Sequence, residues 1–119
     1  MSNKIVIILE DEENVANVLQ MIARKYGFTP ICFTCVDNLV DHIEVLQEAK
    51  LFITDYNLCD STVIPVLEEI KNRNIKIYTI LNSGNPNAIK DIEKAELLDY
   101  INEQFDKTMS YNVMFKNFI

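Results

Sequence analysis

Short unbroken apolar runs alternate with apolar residues at helical spacing along this whole chain, and that alternation most limits what it can fold into. Ile5-Val6-Ile7-Ile8-Leu9 is aliphatic at every position, the mark of a strand buried on both faces. From Glu13 to Tyr26 the period changes. Val15, Val18, Leu19, Ile22 and Tyr26 fall on one helical face, and Gly27 supplies a stop. Phe28 to Phe33 reads as a second strand, and Leu39, Val40, Ile43 and Leu46 as the stripe of a second helix. Leu51 to Thr54 is a third strand ending at Asp55. Val63, Val66, Leu67 and Ile70 mark a third helix, with Ser61 or Thr62 as its cap. Residues 75–81 form a fourth strand. Asn85-Pro86 then starts a fourth helix continued by Ile89, Ile92 and Ala95. Leu97 to Ile101 is expected as the fifth strand, and residues 105, 109 and 113 give a less regular helical stripe in the tail.

Five strands alternating with five helices imply an α/β fold: a parallel sheet, helices on both faces, right-handed crossovers. The 119 residues are expected to form one domain, 1–119, with no output domain, internal repeat or linker. Hydrophobic residues are 49% and charged residues 24%, as in soluble globular proteins. The first apolar run is too short, and too soon followed by acids, for a signal peptide or a membrane span. A cytoplasmic protein that makes no membrane contact is expected. A net charge of −7 argues against direct nucleic-acid binding through phosphates. Three cysteines, an odd number, fit reduced thiols.

The carboxyl ends of parallel strands form the edge where open α/β sheets place their sites. On that edge the first strand ends in Glu10-Asp11-Glu12, the third in Asp55 and the fourth in Ser83-Gly84. Strands one and three are expected to be neighbours, so the carboxylates should converge. One acid after a strand often only caps a helix. Several together repel unless something neutralises them, and a hard divalent cation such as Mg²⁺ does that through one or two carboxylates and water.

Ile-Leu-Glu-Asp-Glu at 8–12, Thr-Asp-Tyr-Asn-Leu at 54–58, Leu-Asn-Ser-Gly at 81–84 and Asp-Tyr-Ile at 99–101 resemble the landmarks of response-regulator receiver domains of two-component signalling. The resemblance spans essentially the full chain and keeps the family's order. It implies a doubly wound (βα)5 domain with flavodoxin-like strand order 2-1-3-4-5. It also implies a phosphoacceptor at Asp55 and a Mg²⁺ site of Glu10, Asp11, Asp55 and the backbone carbonyl of Asn57. Ser83 would hydrogen-bond the phosphoryl group, and Tyr100 would be the switch aromatic. A histidine kinase or phosphotransfer protein would be the donor, and a downstream output protein would follow. A homodimer through the fourth helix, fifth strand and fifth helix is a further expectation of the family.

The family pattern breaks after the fifth strand. Aligning on Asp99-Tyr100-Ile101 puts Glu103 where the family has the lysine of a Lys-Pro pair. The change reverses a charge beside an anion; at about 5 Å and an effective dielectric of ~20, each unit charge is worth roughly 3 kcal/mol against another, an upper bound for a Glu103 turned to solvent. Atypical switching is therefore expected. Lys107, the nearest lysine downstream, is expected about a turn into the last helix. Without the proline, the Glu103–Gln104 bond is expected to be trans. Cys59 and Val63 also depart from the family, at positions usually held by proline and glycine. Two readings compete with a phosphorylated receiver. One is a phosphorylation-independent pseudo-receiver used as an interaction surface. The other is a flavodoxin-like cofactor binder, ranked last because acids follow the first strand where a phosphate cradle should be. Cys32 and Cys35 are three apart, on opposite faces of a strand, and no second pair completes a metal set. They read as packing. His42, flanked by Asp41 and Glu44, reads as a solvated helical residue.

Overall fold

The computed structural model describes residues 4–106, 109–116 and 118. β1 (Ile5–Leu9) is an interior strand of the sheet. Its alternate residues serve two cores, and Val6, Ile7, Ile8 and Leu9 are all fully buried. Val6 and Ile8, with Leu51, Ile53 and Ile80, pack under Leu19, Ala23, Met114 and Phe115. Ile7 and Leu9, with Phe52 and Leu81, pack under Leu39, Leu46, Val66, Leu67 and Ile92. An all-apolar strand serves both layers at once, which is why this run is aliphatic throughout.

The other elements follow in alternation: α1 (Glu13–Lys25), β2 (Thr29–Phe33), α2 (Val36–Asp41), α3 (Val45–Glu48), β3 (Leu51–Thr54), α4 (Ile64–Asn72), β4 (Tyr78–Leu81), α5 (Ala88–Lys94), a 3-10 turn (Leu98–Tyr100), β5 (Glu103–Gln104) and α6 (Val113–Lys116). All strand pairings are parallel, in the order β2-β1-β3-β4-β5. This is the doubly wound α/β fold with the expected strand order. α1 and α6 cover one face and α2 to α5 the other. Among the described residues no helix is long and apolar enough to cross a membrane.

Four expectations are corrected. The second helix is two short ones, because at residues 42–46 the backbone bonds close three residues back: His42 N–H to Leu39 O, Val45 N–H to His42 O and Leu46 N–H to Ile43 O. The stripe Leu39, Ile43 and Leu46 stays buried across the break. β4 starts at Tyr78 and not at residue 75. Asn74 takes a left-handed φ of 54°, and the Ile75 N–H bonds back to Ile70 O, so the segment still belongs to the exit from α4. α5 starts at Ala88; residues 85–87 form the turn before it, with Asn85 Oδ1 accepting from the Asn87 N–H at 2.9 Å.

The largest correction concerns the fifth strand. Leu97 to Ile101 is not a strand. The N–H groups of Leu97, Tyr100 and Ile101 bond to Ile92, Leu97 and Leu98, which uses up the backbone groups a ladder would need. Pairing with β4 begins at Asn102, whose N–H donates to Thr79 O, and β5 is Glu103–Gln104, opposite Ile80 and Leu81. In the tail, Met109 is exposed and only Val113–Lys116 is helical among the described residues. Phe115 is buried against Phe28, and Asn112 Oδ1 accepts from Tyr26 Oη at 3.0 Å, which holds this segment against the end of α1.

Candidate functional site

β1 and β3 are adjacent and in register, Leu9 beside Thr54, so the residues that follow them emerge side by side. The Glu10 N–H donates to Phe33 O at 3.0 Å and the Asp55 N–H to Leu9 O at 3.1 Å, which fixes both residues at the carboxyl edge. Carboxylate oxygens of Glu10, Asp11 and Asp55 lie within 4.8 Å of one another. Glu10 is buried at 4% exposure, Asp55 is half-buried and Asp11 is exposed, so the cluster runs from the sheet out to solvent. Glu10 also accepts the Glu12 N–H at 3.2 Å at the start of α1. An all-oxygen donor set of this size suits a hard cation such as Mg²⁺, which binds through few carboxylates and keeps water on its other positions.

Asp55 is held by its own loop. The Tyr56 N–H donates to Asp55 Oδ1 at 2.7 Å, and the Tyr56 hydroxyl donates to Asp91 Oδ2 on α5 at 3.0 Å. Burial and this contact with Asp91 push the Tyr56 phenol above its ordinary pKa. Asn57 pairs with Thr62 in an isolated antiparallel bridge. The flanking bonds, Leu58 N–H to Ser61 O and Val63 N–H to Tyr56 O, do not use the Asn57 carbonyl. The residue at the cap position of α4 is Val63, neither Ser61 nor Thr62 as expected, and no side chain caps the helix; Thr62 Oγ1, one residue earlier, accepts the Ile64 N–H at 3.3 Å.

Directly after β4 the Asn82 N–H donates to Thr54 O at 2.7 Å, which places Ser83 one residue past the level of Asp55. Ser83 is buried at 8% exposure, and its Oγ accepts the Asn85 N–H at 3.1 Å. A hydroxyl that accepts there still has its own proton to donate. Beside it, the carboxamide of Asn82 is fully buried, and neither its oxygen nor its nitrogen has a hydrogen-bond partner among the described residues. Sequence reasoning passed over Asn82; a polar residue directly after an apolar strand and before Ser83 was the available signal.

The chain matches no protein-family profile, and no curated protein matches it in sequence. Solved structures do match in shape. The signal receiver domain of an HD domain-containing protein from Pseudomonas fluorescens Pf-5 superposes with a TM-score of 0.79 at 17% identity, over 97% of this chain and 83% of that one. The response regulator TrrA from Thermotoga maritima, solved in complex with Mg²⁺ and BeF, gives 0.78 at 15% identity, over 96% and 95%. A CheY-like response regulator receiver domain from Methylobacillus flagellatus gives 0.77 at 15% identity, over 98% and 95%. The chain has the receiver-domain fold.

Within that receiver fold, two residues stand away from the places expected for them. Tyr100 belongs to the 3-10 turn and not to the fifth strand. With Ile70, Ile75, Ile77, Tyr78 and Asn102 it lines a cavity of about 290 Å³ at the amino end of β4, the far end from Ser83. Glu103 lies inside β5, opposite Ile80, and accepts a hydrogen bond from the Tyr78 hydroxyl at 3.0 Å. It sits two residues short of the level of Asp55 and two strands across. At about 4.8 Å per strand and 3.3 Å per residue, the two Cα atoms are roughly 12 Å apart. The charge clash expected from the sequence was set at about 5 Å; across roughly 12 Å the same Coulomb term falls to about 1.4 kcal/mol at an effective dielectric of ~20. The shifted strand is the physical reason: Asp99-Tyr100-Ile101 is not the strand on which the alignment was anchored. No peptide bond among the described residues is cis. Lys107 lies outside the described residues.

The cysteines are free thiols. Cys32 is half-buried on β2, and burial, with the Glu10 carboxylate adding to it, raises its thiol pKa. His42 is exposed, its Nδ1 2.9 Å from Asn38 O.

Proposed function

We propose that this receiver-fold chain accepts a phosphoryl group on Asp55 from a phosphohistidine of a histidine kinase or phosphotransfer protein, with Mg²⁺ bound at the acid cluster. The observation that carries the reading is the convergence of Glu10, Asp11 and Asp55 at the carboxyl edge of a receiver fold. In the transfer, an Asp55 carboxylate oxygen attacks phosphorus. The new O–P bond forms as the N–P bond of the donor breaks, and the imidazole leaves. The backbone N–H of Tyr56 holds Oδ1 of the nucleophile in place. Glu10 and Asp11 would hold the cation with Asp55, and the Asn57 backbone carbonyl would complete its protein ligands. Bound there, Mg²⁺ supplies positive charge against the oxygens of the transferring group. Ser83 donates its hydroxyl proton to a phosphoryl oxygen and draws its loop towards Asp55. Tyr100 would act in switching only through movement of the turn that carries it. A cytoplasmic setting, a downstream output protein and a homodimer through α5, β5 and α6 belong to the same reading. A net charge of −7 supports the absence of direct nucleic-acid binding.

The test is intact-mass measurement after incubation with a small acyl phosphate and Mg²⁺. One phosphoryl mass should appear on the wild-type chain and none on Asp55→Asn. Its absence from the wild type across several donors would reject phosphorylation and leave a surface-only pseudo-receiver.

A further inference from the structure

Two of the three cysteines lie on neighbouring segments at the carboxyl edge that are far apart in sequence. Cys35 sits between the end of β2 and the start of α2 and is half-buried. Cys59 is exposed, in the loop between Asp55 and α4. The Cys59 thiol donates to the carbonyl oxygen of Thr34 at 3.7 Å, the residue before Cys35. The next residue, Asp60, accepts the N–H of Val36 at 2.9 Å and of Asp37 at 3.0 Å, the residues after Cys35. Consecutive residues of one loop thus bracket Cys35 on both sides. Bond lengths put the Thr34 carbonyl oxygen about 2.8 Å from the Cys35 Cα, so Cys59 Sγ lies within about 6.5 Å of that Cα. Adding the ~2.8 Å from Sγ to its own Cα bounds the Cα–Cα separation at about 9.3 Å; disulfides join Cα atoms roughly 4.4–6.8 Å apart, so closure takes rotation of the two side chains and a shift of the exposed loop by up to a few ångströms. Cys32 is the unsuitable partner: it lies on β2 with its own thiol directed at Phe33 O, 3.9 Å away.

We propose that Cys35 and Cys59 form a redox-responsive pair, closed to a disulfide by hydroperoxides, that pins the loop carrying Asp55 to the start of α2. The Cys59 thiolate attacks the peroxide; a sulfur–oxygen bond forms and the oxygen–oxygen bond breaks. Sulfur is oxidised to a sulfenic acid and the peroxide is reduced to water or an alcohol. The Cys35 sulfur then attacks the Cys59 sulfur, hydroxide leaves, and it takes up the Cys35 proton as water. Exposure of Cys59 gives the oxidant access, and the bracketed position of Cys35 supplies the resolving thiol. This pair is independent of whether Asp55 is phosphorylated, so its test stands apart from the one above.

The test treats the full chain with hydrogen peroxide, blocks remaining thiols, and digests after lysine and arginine. Cys32 and Cys35 fall in one peptide, 26–50, and Cys59 in another, 51–71. The Cys32→Ser protein should lose the mass of two hydrogen atoms as a monomer and yield a 26–50/51–71 cross-link. Cys35→Ser should instead accumulate a sulfenic acid at Cys59, trapped by dimedone. A Cys32–Cys35 bond in the wild type, a cross-link only between chains, or no link in Cys32→Ser overturns the pair.

Discussion

Glu103 shows how much one residue's reading depends on the register beneath it. Its carboxylate accepts from Tyr78, and burial first, then this contact, raises the Tyr78 phenol pKa. Glu103 is therefore a strand residue with a local partner and is about two strand widths from the acceptor. Replacing Glu103 by alanine should remove one hydrogen bond, at a cost of about 1 kcal/mol in urea unfolding, and leave the rate of Asp55 phosphorylation unchanged. Lys107 is the first lysine in sequence after β5. If it takes the role expected of the family's lysine, Lys107→Ala removes a charge-assisted contact worth ~1.5–3 kcal/mol, a roughly ten- to hundredfold slower phosphorylation. Stopped-flow or time-resolved mass measurement of both variants separates the two positions. A slow Glu103→Ala with a normal Lys107→Ala would return the anionic residue to the site.

Among the elements, the clearest tie is between the β3–α4 loop and α2. Asp60 accepts two backbone N–H groups at the start of α2, and these bonds hold its carboxyl below the usual carboxylate range. Because the folded pKa is depressed, this stability is present above the unfolded pKa of 3.8 and is lost as pH falls through the folded value. The stability gap between wild type and Asp60→Ala, from urea unfolding, should be constant near neutrality and narrow below about pH 4. A gap that widened in acid would sink this account. Legibility differed between elements for related reasons. β1 and β3 were plain because strands buried on both faces must be apolar throughout, and the acids after them followed. β5 was hidden because its paired residues are Glu103 and Gln104, while the apolar run just before it spends its backbone groups on a 3-10 turn. Apolarity marks burial, and over five residues it does not separate strand from turn. The break between α2 and α3 was equally hidden, since Leu39, Ile43 and Leu46 remain on one buried side across it.

At the scale of the whole molecule, the site and the net charge act on the same balance. Eighteen acidic residues face eleven basic ones, and three of the acids crowd one edge. A folded state that concentrates like charge is destabilised by it, and a cation that binds only that state restores the loss by mass action. At a hundred times its Kd, Mg²⁺ should stabilise the chain by ~2.7 kcal/mol, a rise in Tm of roughly 10 °C for a domain of this size. Glu10→Gln and Asp11→Asn each remove one repelling carboxylate and one ligand together. Both variants should therefore melt above the wild type in chelator and gain less from Mg²⁺. Sodium chloride at matched ionic strength supplies the control, since screening alone acts on all eighteen acids and does not distinguish these positions. Equal shifts with the two salts, or an undiminished Mg²⁺ shift in both variants, would mean that the cluster screens charge without binding the ion. Thermal unfolding followed by circular dichroism measures every arm on the same protein.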